Sequence, residues 1–341
     1  MTDAAASLFR DRVVLVTGGT GSIGSEVVRR ILDLQPRALR VLSRDDSKQF
    51  ELAQELRDRP ALRMLIGDVR SHQRIARAMS GVDLVVHAAA LKHVPACEFN
   101  PFEATETNVR GTQNVVEAAI DAGVDRVLTI STDKAVDPTN VMGATKLLAE
   151  RLMTSAELYK GASATRFASV RFGNVVGSRG SIVPLILRQV AHGGPVTVTD
   201  AEMTRYLMPL RKAADLCLTA IERMEGGEVF ILKMPRVRVG DLVEVLIEAY
   251  ASRFGYRPDE IEIERIGARP GEKRDEALMT EEEALRARDA DDMWVVPRAI
   301  PDGRGAARPG VGPSELLDRQ AIRELLDSAG WLAPETVTPV V

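Results

Sequence analysis

Four residues that can exchange protons or bind oxygen atoms lie close together in the middle of the chain. Thr132, Asp133 and Lys134 directly follow an apolar run, and Lys146 falls within the next helical pattern. Charges at the end of a buried strand are costly unless they act on a substrate. A carboxyl group beside an amine can supply an acid and a base for proton transfer. We therefore expect the chemistry here, with the rest of the chain positioning it.

A glycine-rich turn near the N-terminus joins a predicted strand to a predicted helix. The strand spans 12–17, the turn runs from Gly18 to Gly24, and the helical pattern continues to Leu34. Glycines allow a tight turn, close approach of the backbone to a pyrophosphate and close packing of the helix on the strand. The helix N-terminus favours the phosphate charge. This position predicts a dinucleotide site, and a glycine turn without a ligand is the alternative.

The end of the second predicted strand bears on the choice of dinucleotide. It reads Ser43, Arg44, Asp45 and Asp46, so a serine and an arginine stand where an NAD site usually has its ribose-binding acid. Arg44 could accept a 2′-phosphate, which favours NADP. Alternatively, Asp45 or Asp46 still binds the ribose hydroxyls of NAD.

Short apolar strands alternate with helical patterns over the first half of the chain. Further strands are predicted at 38–42, 62–66, 84–86 and 125–131. This alternation predicts an α/β fold, a Rossmann-like doubly wound parallel sheet with helices on both faces. The strand at 125–131 would deliver the catalytic stretch at the carboxyl edge of the sheet, where ligands of open α/β folds bind.

Lys146 is predicted to lie among apolar residues of its helix. At 3.6 residues per turn, two predicted core faces adjoin it. They comprise Met142, Ala149 and Met153 on its own face, and Leu148, Leu152, Ala156 and Tyr159 on the adjoining one. A lysine so placed needs oxygen-rich partners, such as the ribose hydroxyls of a cofactor. A structural lysine that extends to solvent is the alternative.

The second half of the chain is less regular and predicts a smaller mixed α/β substrate lobe. We assign 1–175 to the dinucleotide-binding domain, 176–300 to the lobe, which is interleaved with that domain, and 301–341 to a loop and a C-terminal helix. The loop, 301–313, is dense in Gly, Pro and Arg and is expected to be mobile. The helix is predicted at 314–326.

Three residues of the lobe are candidates for binding a second ligand. Arg205 and Arg269 could clamp a diphosphate bidentately, and Glu272 could accept hydrogen bonds from sugar hydroxyls. The alternative for each arginine is simple solvation at the surface.

Composition excludes several classes of protein. Hydrophobic residues make up 45% and charged residues 28%, with a net charge of −4 and both signs interspersed, which is typical of a globular protein without a nucleic-acid partner. Cys97 and Cys217 are far apart and lack metal-ligand spacing, which indicates a reducing compartment. No apolar run approaches the ~20 residues needed to span a bilayer, and no signal peptide is recognisable. We expect a cytoplasmic protein without membrane insertion.

Residues 14 to about 280 resemble the extended short-chain dehydrogenase/reductases that modify nucleotide sugars, and among them the UDP-N-acetylglucosamine 4,6-dehydratases of polysaccharide biosynthesis. The shared motifs are TGGTGSIG (17–24), HAAALKHVP with E and NP after it (87–101), TNVRGT (107–112), STDKAVDPTNVMGATK (131–146), RFGNVVGSRGS (171–181), MTRYLM (203–208) and RPGEK (269–273). Their order along the chain is highly specific for the family and less so for the stereochemistry of the product.

The resemblance implies a reaction on a UDP-N-acetylhexosamine. NADP⁺ or NAD⁺ takes hydride from sugar C4, the 4-keto group acidifies the C5 proton, the C6 hydroxyl leaves, and hydride returns to C6. By the same resemblance Asp133 protonates the leaving hydroxyl, Lys134 removes the C5 proton, Thr132 binds the C4 oxygen and Lys146 holds the nicotinamide ribose. The family also implies a homo-oligomer.

Met142 departs from the family pattern, because it stands where the usual base tyrosine is found. A thioether can neither donate nor accept a proton near neutral pH. The long membrane-anchored members look similar in having methionine there, which argues against an inactive site. The hypothesis is that Asp133, or a water held by Thr132, takes the C4 hydroxyl proton while Lys134 tunes the carboxylate.

Three alternative functions remain open at this point. They are a UDP-sugar 4-epimerase, a dehydratase that inverts C5, and a non-catalytic nucleotide-sugar sensor. An epimerase needs no acid/base pair for C5 and C6, so the adjacent Asp133 and Lys134 favour dehydration.

The predicted site is summarised by role. The catalytic set is Thr132, Asp133, Lys134, Lys146 and, at the tyrosine position, Met142. The cofactor set is Gly18, Thr20, Gly21, Ser22, Ile23, Gly24, Ser43, Arg44, Lys48, Asp68, Val69, Ala88, Ala89 and Lys146. The substrate set is Lys92, Asn174, Val183, Pro184, Thr197, Arg205, Arg269 and Glu272. No metal is predicted.

Overall fold

The largest element of the protein is a mostly parallel β-sheet. A computed structural model describes residues 3–298 and 314–333. Within them the sheet has nine strands, in the order β13-β14-β10-β6-β5-β4-β1-β2-β3, with numbering in chain order. The strands are β1 (Val13–Thr17), β2 (Ala38–Ser43), β3 (Leu62–Ile66), β4 (Leu84–His87), β5 (Arg126–Ile130), β6 (Arg166–Arg171), β10 (Val229–Leu232), β13 (Arg288–Ala290) and β14 (Met293–Val296). From β3 to β10 all neighbours are parallel, and β14 and β13 are antiparallel.

The connections between these strands are mainly helical. The helices are α1 (Asp3–Phe9), α2 (Ser22–Leu32), α3 (Asp46–Glu55), α4 (His72–Met79), α5 (Val94–Phe99), α6 (Pro101–Thr105), α7 (Gly111–Ala122), α8 (Val141–Tyr159), α10 (Leu210–Arg223) and α12 (Glu281–Arg286). A π-helical turn, Glu106–Arg110, links α6 to α7, and a 3₁₀ turn, Asp133–Ala135, follows β5.

Burial on both faces explains the composition of the central strands. Every residue of β1 is buried, as is every residue of β4. Strands covered by helices on both sides read as continuous β-branched and aliphatic runs, as these do. One buried cluster includes Leu15, Val85 and Val127 from the sheet and Val116 from α7.

The strand order confirms the predicted fold class. The order 3-2-1-4-5-6 is that of the doubly wound dinucleotide-binding fold. The chain reverses direction across the sheet between β1 and β4, so the carboxyl ends of these strands flank a topological switch point. The loop after β1 and the loop after β4 both emerge at this edge.

A second set of elements includes two small sheets. Of the described residues, β7 (Asn174–Val176), β9 (Thr204–Pro209) and β11 (Arg236–Arg238) form one, and β8 (Val196–Val198) and β12 (Ile263–Arg265) form the other. The helices are α9 (Ile182–Ala191), α11 (Val239–Tyr250) and α13 (Arg319–Ser328). Their core includes Val183, Ile186, Val243, Leu246 and Ile322.

The described residues fall into two compact units. The first comprises those within Met1–Phe172, Ala214–Leu232 and Leu278–Val311, and the second those within Gly173–Ala213, Lys233–Ala277 and Gly312–Val341. The assignment of one part to the cofactor and the other to the substrate, and the boundaries at 175 and 300, stay predictions.

The structure differs from the expected elements in a few places. Helix α1 was not expected, and α13 begins at Arg319, not at 314. The second core face expected beside Lys146 is confirmed at Ala156, which is fully buried, and is wrong at Leu148 and Tyr159, which are 48% and 54% exposed. The helix pattern alone does not show which stripe other elements cover. The mobile loop expected at 301–313 lies outside the described residues.

Candidate active site

The glycine turn after β1 is shaped by close backbone contacts. Gly18 has φ +66°, and a Cβ built on it would lie 2.6 Å from both Cα and N of Ala89. A Cβ on Gly24 would lie 2.3 Å from the carbonyl oxygen of Gly18. Gly21 precedes α2 without a side-chain cap. The turn therefore has the two features that a pyrophosphate needs, a side-chain-free backbone and a helix N-terminus.

The polar groups at the end of β2 are engaged with one another. Ser43 Oγ lies 2.8 Å from Thr20 Oγ1. Asp45 caps α3 by accepting a hydrogen bond from the Lys48 N–H (3.0 Å), and its other carboxylate oxygen pairs with the Lys48 ammonium. Capping and ion pairing thus engage both oxygens of Asp45, one of the two carboxylates that were the alternative ribose acceptors. The other, Asp46, accepts from the Ser47 N–H through Oδ1 at 2.9 Å.

Arg44 is held more loosely. Its side chain is 56% exposed, and Nη1 lies 3.7 Å from Asp68 Oδ2. Asp68 binds Arg70 more closely, with Nε and Nη2 at 3.0 and 2.8 Å. Burial raises the pKa of Asp68, but the hydrogen bonds from Arg70 outweigh it and lower the pKa overall. The backbone after Asp68 is fixed by Asn114, which donates to the carbonyl of Val69 at 2.9 Å.

A buried histidine that was not among the predicted site residues closes β4. His87 Nδ1 lies 2.7 Å from Thr17 Oγ1, and Nε2 lies 3.1 Å from Thr112 Oγ1. Burial, with a smaller contribution from the charge of Lys146, lowers its pKa to about 3. The imidazole is therefore neutral and orders the strand end that leads to Ala88 and Ala89.

Asn108 lies in the π-helical turn and anchors the loop after β4. Its Oδ1 accepts from the Leu91 N–H (2.8 Å), and its Nδ2 donates to the Leu91 carbonyl (3.0 Å) and to Thr145 Oγ1 (3.0 Å). Such turns insert one extra residue in a helix and are frequent near functional sites. Asn108 thereby ties this loop to α8, the helix of Lys146.

The predicted catalytic stretch forms a compact hydrogen-bonded group. Asp133 is fully buried. Its Oδ1 accepts from the Thr132 hydroxyl (2.8 Å) and the Lys134 ammonium (3.0 Å). Its Oδ2 is also buried and has no hydrogen-bond partner among the residues described, and the same holds for Ser131 Oγ. Buried polar atoms are normally satisfied, so these two atoms indicate where a ligand donor belongs.

Lys146 points to the same strand end. Its Nζ donates to the carbonyl of Ile130 at 2.7 Å, and the side chain is buried. Burial lowers its pKa to about 8, and the negative charge of Glu150 opposes this shift. Lys146 is thus predominantly cationic at neutral pH, with a charged form less strongly favoured than in water.

Gly143 and Met142, on the same helix, set the position of Lys146. A Cβ on Gly143 would lie 2.2 Å from the carbonyl oxygen of Lys134, so only glycine lets α8 begin this close to the catalytic turn. Met142 is 3% exposed and packs in an apolar cluster with Cys97 and Ala104. At the position expected for a proton-transferring tyrosine, the side chain therefore contributes packing.

In the second unit, two of the predicted substrate residues are paired with each other. Arg205 is buried, and its Nη2 donates to Glu272 Oε1 at 2.9 Å. Its Nη1 donates to the carbonyls of Thr204 (2.8 Å) and Arg274 (3.0 Å). The backbone N–H of Arg269 donates to Glu272 Oε2 at 3.3 Å. A diphosphate would have to replace or join these bonds.

The remaining predicted substrate residues are more dispersed. Asn174 Oδ1, on β7, and Ser181 Oγ, before α9, are buried without a hydrogen-bond partner in the described part of the chain. Val183 is buried and Pro184 is partly exposed in the first turn of α9. Thr197 bonds Gln189, whose Nε2 donates to its Oγ1 at 2.8 Å. Lys92, in the first unit, is exposed.

Comparison with known proteins assigns the family. The model of the polysaccharide biosynthesis protein family matches residues 14–298. The chain belongs to that family. As a member of the polysaccharide biosynthesis protein family, it has the extended short-chain dehydrogenase/reductase fold that its strand order indicates.

Several curated family members cover most of the chain. An uncharacterized membrane protein of Methanocaldococcus jannaschii is 50% identical over 96% of this chain and 98% of its own. A UDP-glucose 4-epimerase of Rickettsia rickettsii is 42% identical over 87% and 85%. The inverting UDP-N-acetylglucosamine 4,6-dehydratase of Campylobacter jejuni is 38% identical over 86% and 85%. The protein is thus related to enzymes that modify nucleotide sugars by two different reactions.

A solved structure with a similar sequence supports the fold. Pen from Bacillus thuringiensis is 45% identical, with a TM-score of 0.88 over 94% of this chain and 98% of its own. In contrast with the name of the Methanocaldococcus relative, none of the helices in residues 3–298 and 314–333 is long and apolar enough to cross a membrane.

Proposed function

We propose that this protein is a UDP-N-acetylglucosamine 4,6-dehydratase that forms a 4-keto-6-deoxy UDP-sugar. The observation that carries the proposal is the pairing of Asp133 and Lys134 at the end of β5. Asp133 is fully buried, and one of its carboxylate oxygens has no hydrogen-bond partner among the described residues. Elimination of water across C5 and C6 needs an acid and a base at adjacent carbons, and adjacent residues supply them.

Each residue of the group has a distinct task in this proposal. The bound nicotinamide supplies hydride abstraction from C4 and hydride return to C6. Thr132 hydrogen-bonds the C4 oxygen, and Asp133 delivers a proton to the departing C6 hydroxyl. Lys134 takes the C5 proton and returns a proton to C5 when the C5–C6 double bond is reduced. Lys146 holds the ribose hydroxyls beside the strand end. The C6 hydroxyl leaves as water with the proton that Asp133 took from the C4 hydroxyl, so the product is lighter than the substrate by one water.

The first proton transfer, from the C4 hydroxyl, has no tyrosine to receive it. Met142 lies in an apolar cluster and cannot accept a proton. We assign this step to Asp133, directly or through a water held by Thr132. The Lys134 Nζ atom, 3.0 Å from Asp133 Oδ1, holds the carboxylate in place for the transfer. Asp133 thus receives at C4 the proton that it later delivers at C6.

An assay of the product tests the proposal. Purified protein is incubated with UDP-N-acetylglucosamine, and the nucleotide sugars are analysed by mass spectrometry. We expect loss of one water. A new UDP-sugar of unchanged mass would instead indicate the 4-epimerase, which the Rickettsia relative favours. Tight cofactor binding without conversion of any UDP-sugar would indicate a sensor. NMR coupling constants of the product show whether the configuration at C5 is retained or inverted. The Campylobacter relative is named as an inverting enzyme.

We further propose NADP as the cofactor, with NAD as the alternative. Both oxygens of Asp45 are engaged by Lys48, and Ser43 is bonded to Thr20, so these two side chains are already committed within the protein. Arg44 is exposed and loosely paired, which leaves its guanidinium able to bind a 2′-phosphate.

Replacement of Arg44 should separate the two cofactors. Arg44→Ala is expected to raise the Kd for NADP⁺ by about tenfold, because a charge-assisted contact worth ~1.4 kcal/mol is lost. The Kd for NAD⁺ should change less than about twofold. Isothermal titration of both dinucleotides measures this. Arg57→Ala, which removes an arginine 76% exposed beyond α3, is the matched control. Equal weakening of both dinucleotides would contradict the role of Arg44.

A further inference from the structure

A buried row of alternating charges extends from Lys146 into the interior of the first unit. Glu150 lies one helical turn beyond Lys146 on α8. Arg171, at the end of β6, binds Glu150 through Nε (3.0 Å) and Nη2 (2.7 Å). Arg171 also binds Glu283, on α12, through Nη1 (2.8 Å) and Nη2 (3.0 Å). The side chains of Arg171, Glu150 and Glu283 are 1%, 3% and 7% exposed.

Arg171 has no donor left for a substrate. Its fifth hydrogen bond runs from Nη1 to the carbonyl of Leu278 at 2.9 Å. A guanidinium has five N–H groups, and all five are engaged within the protein. A buried arginine at the edge of the sheet could be taken for a phosphate clamp, but this one is fully committed to two carboxylates. Its role is therefore to hold those carboxylates in place.

The row is balanced in formal charge. Lys146 and Arg171 contribute two positive charges, and Glu150 and Glu283 two negative ones. Lys146 and Glu150 are both buried and lie one turn apart on α8, so the carboxylate charge acts on the ammonium across an interior of low dielectric and not through an ion pair. If Glu150 became neutral, Arg171 would still be paired with Glu283, and Lys146 would be the cation without a counter-charge. The least costly response would be loss of its proton.

Other groups around α8 do not replace Glu150. Besides Arg171, the elements packed against this helix carry the following titratable and charged groups: Arg166 on β6, Asp133 and Lys134 in the catalytic turn, Glu106 and Arg110 in the π-helical turn, Cys97 and Glu98 on α5 with His93 before it, Glu103 on α6, and Glu117 and Asp121 on α7. His87, at the end of β4, faces Lys146 from the sheet. Asp133 is engaged by Lys134, His87 is neutral, and Glu106 and Arg110 are exposed.

We propose that Glu150, fixed by Arg171 and Glu283, is a positioning residue that keeps Lys146 in its charged form for binding the cofactor. This inference rests on the proposed function only in assigning Lys146 to the cofactor. The effect of Glu150 on the charge of Lys146 concerns the protein alone. Glu150 touches neither ligand in this proposal and acts through Lys146.

Direct titration of Lys146 tests the inference without any ligand. The chain has eight lysines, so protein labelled with ¹³C and ¹⁵N at lysine gives few signals, and Lys146→Arg assigns the one of interest. In Glu150→Gln the pKa of Lys146, about 8 in the native protein, should fall by about one unit or more. Glu157→Gln is the matched control, because Glu157 is a partly buried acid on α8 that pairs with Lys160. It should leave the pKa of Lys146 unchanged.

An unchanged pKa in folded Glu150→Gln would overturn the inference. If that variant does not fold, Glu150→Asp takes its place. Aspartate keeps the charge on a side chain one methylene shorter, so a smaller fall in the pKa of Lys146 is expected. Glu283→Gln should also lower the pKa of Lys146. Arg171 would then lose one of its two carboxylate partners and would offset more of the charge of Glu150. No change in either folded variant would equally overturn the proposal.

Cofactor affinity gives a second readout that a merely structural role would not reproduce. Near pH 6, Lys146 is protonated in both proteins, and NADP⁺ should bind native protein and Glu150→Gln nearly equally. Near pH 8.5, the ratio of their Kd values should approach tenfold, the factor for a one-unit difference. Equal weakening at both pH values would indicate distortion and count against the charge role. Absence of binding of both NADP⁺ and NAD⁺ to the native protein would refute the proposed function and leave the lysine titration intact.

Discussion

Asp133→Asn is expected to lower dehydratase turnover by about 10³-fold, within the range that a positioned acid or base contributes. The substitution keeps the shape of a fully buried side chain and removes its ability to carry a proton, together with the charge that pairs with Lys134. The oxygen of asparagine can still accept from Thr132 and Lys134, which lie 2.8 and 3.0 Å from Oδ1. Folding and cofactor affinity should therefore stay close to native.

The measurement is the initial rate of water loss from UDP-N-acetylglucosamine, with the Kd for NADP⁺ determined on the same sample. Asp137→Asn is the matched control, because Asp137 lies in the same loop, is exposed and has φ +42°, which asparagine tolerates. It should retain native turnover. Near-normal turnover in Asp133→Asn would refute the catalytic assignment. Parallel losses of turnover and cofactor affinity would show that Asp133 supports the fold of the site.

The parts of this site that can be predicted from sequence are those held by local geometry. Strand, glycine turn and helix follow one another at the N-terminus, and the parallel pairing of the sheet follows from the β/α alternation. Thr132, Asp133 and Lys134 are neighbours in sequence at a strand end, so their proximity needs no tertiary information. Short-range periodicity also places Lys146 on the buried face of α8.

The parts that escaped prediction depend on partners far apart in the chain. Arg171 meets Glu150 across 21 positions and Glu283 across 112 positions, and no periodicity connects them. His87 is chemically conspicuous, but its burial between Thr17 and Thr112 depends on strand pairing and helix packing.

The exposed side chains of α8 also show what cannot be predicted from sequence periodicity alone. The stripe of Leu148 and Tyr159 has the spacing of a core face, yet these side chains are exposed. The spacing of apolar residues states which face can be buried, and the surrounding elements decide whether it is.

Gly18→Ala is expected to abolish dinucleotide binding and to lower the free energy of unfolding by roughly 3 kcal/mol, through two separable effects. The first is backbone strain, because Gly18 has φ +66°, where a side chain costs ~1–2 kcal/mol. The second is a collision, because the new Cβ would lie 2.6 Å from Cα and N of Ala89. These are backbone atoms at the end of a buried strand and cannot move aside cheaply.

Gly81→Ala separates the two effects. Gly81 has φ +67°, nearly the same as Gly18, but a Cβ there would meet nothing within 4 Å. It should lose roughly 1 kcal/mol through strain alone and bind NADP⁺ normally. Urea unfolding followed by circular dichroism gives the stabilities, and isothermal titration gives the affinities. Equal destabilisation of the two variants, with dinucleotide binding retained in Gly18→Ala, would mean that the close approach of the turn to Ala89 is not what requires glycine. A large difference would show that the turn is glycine because the backbone after β4 occupies the space of a side chain, which keeps the cofactor site open at this edge of the sheet.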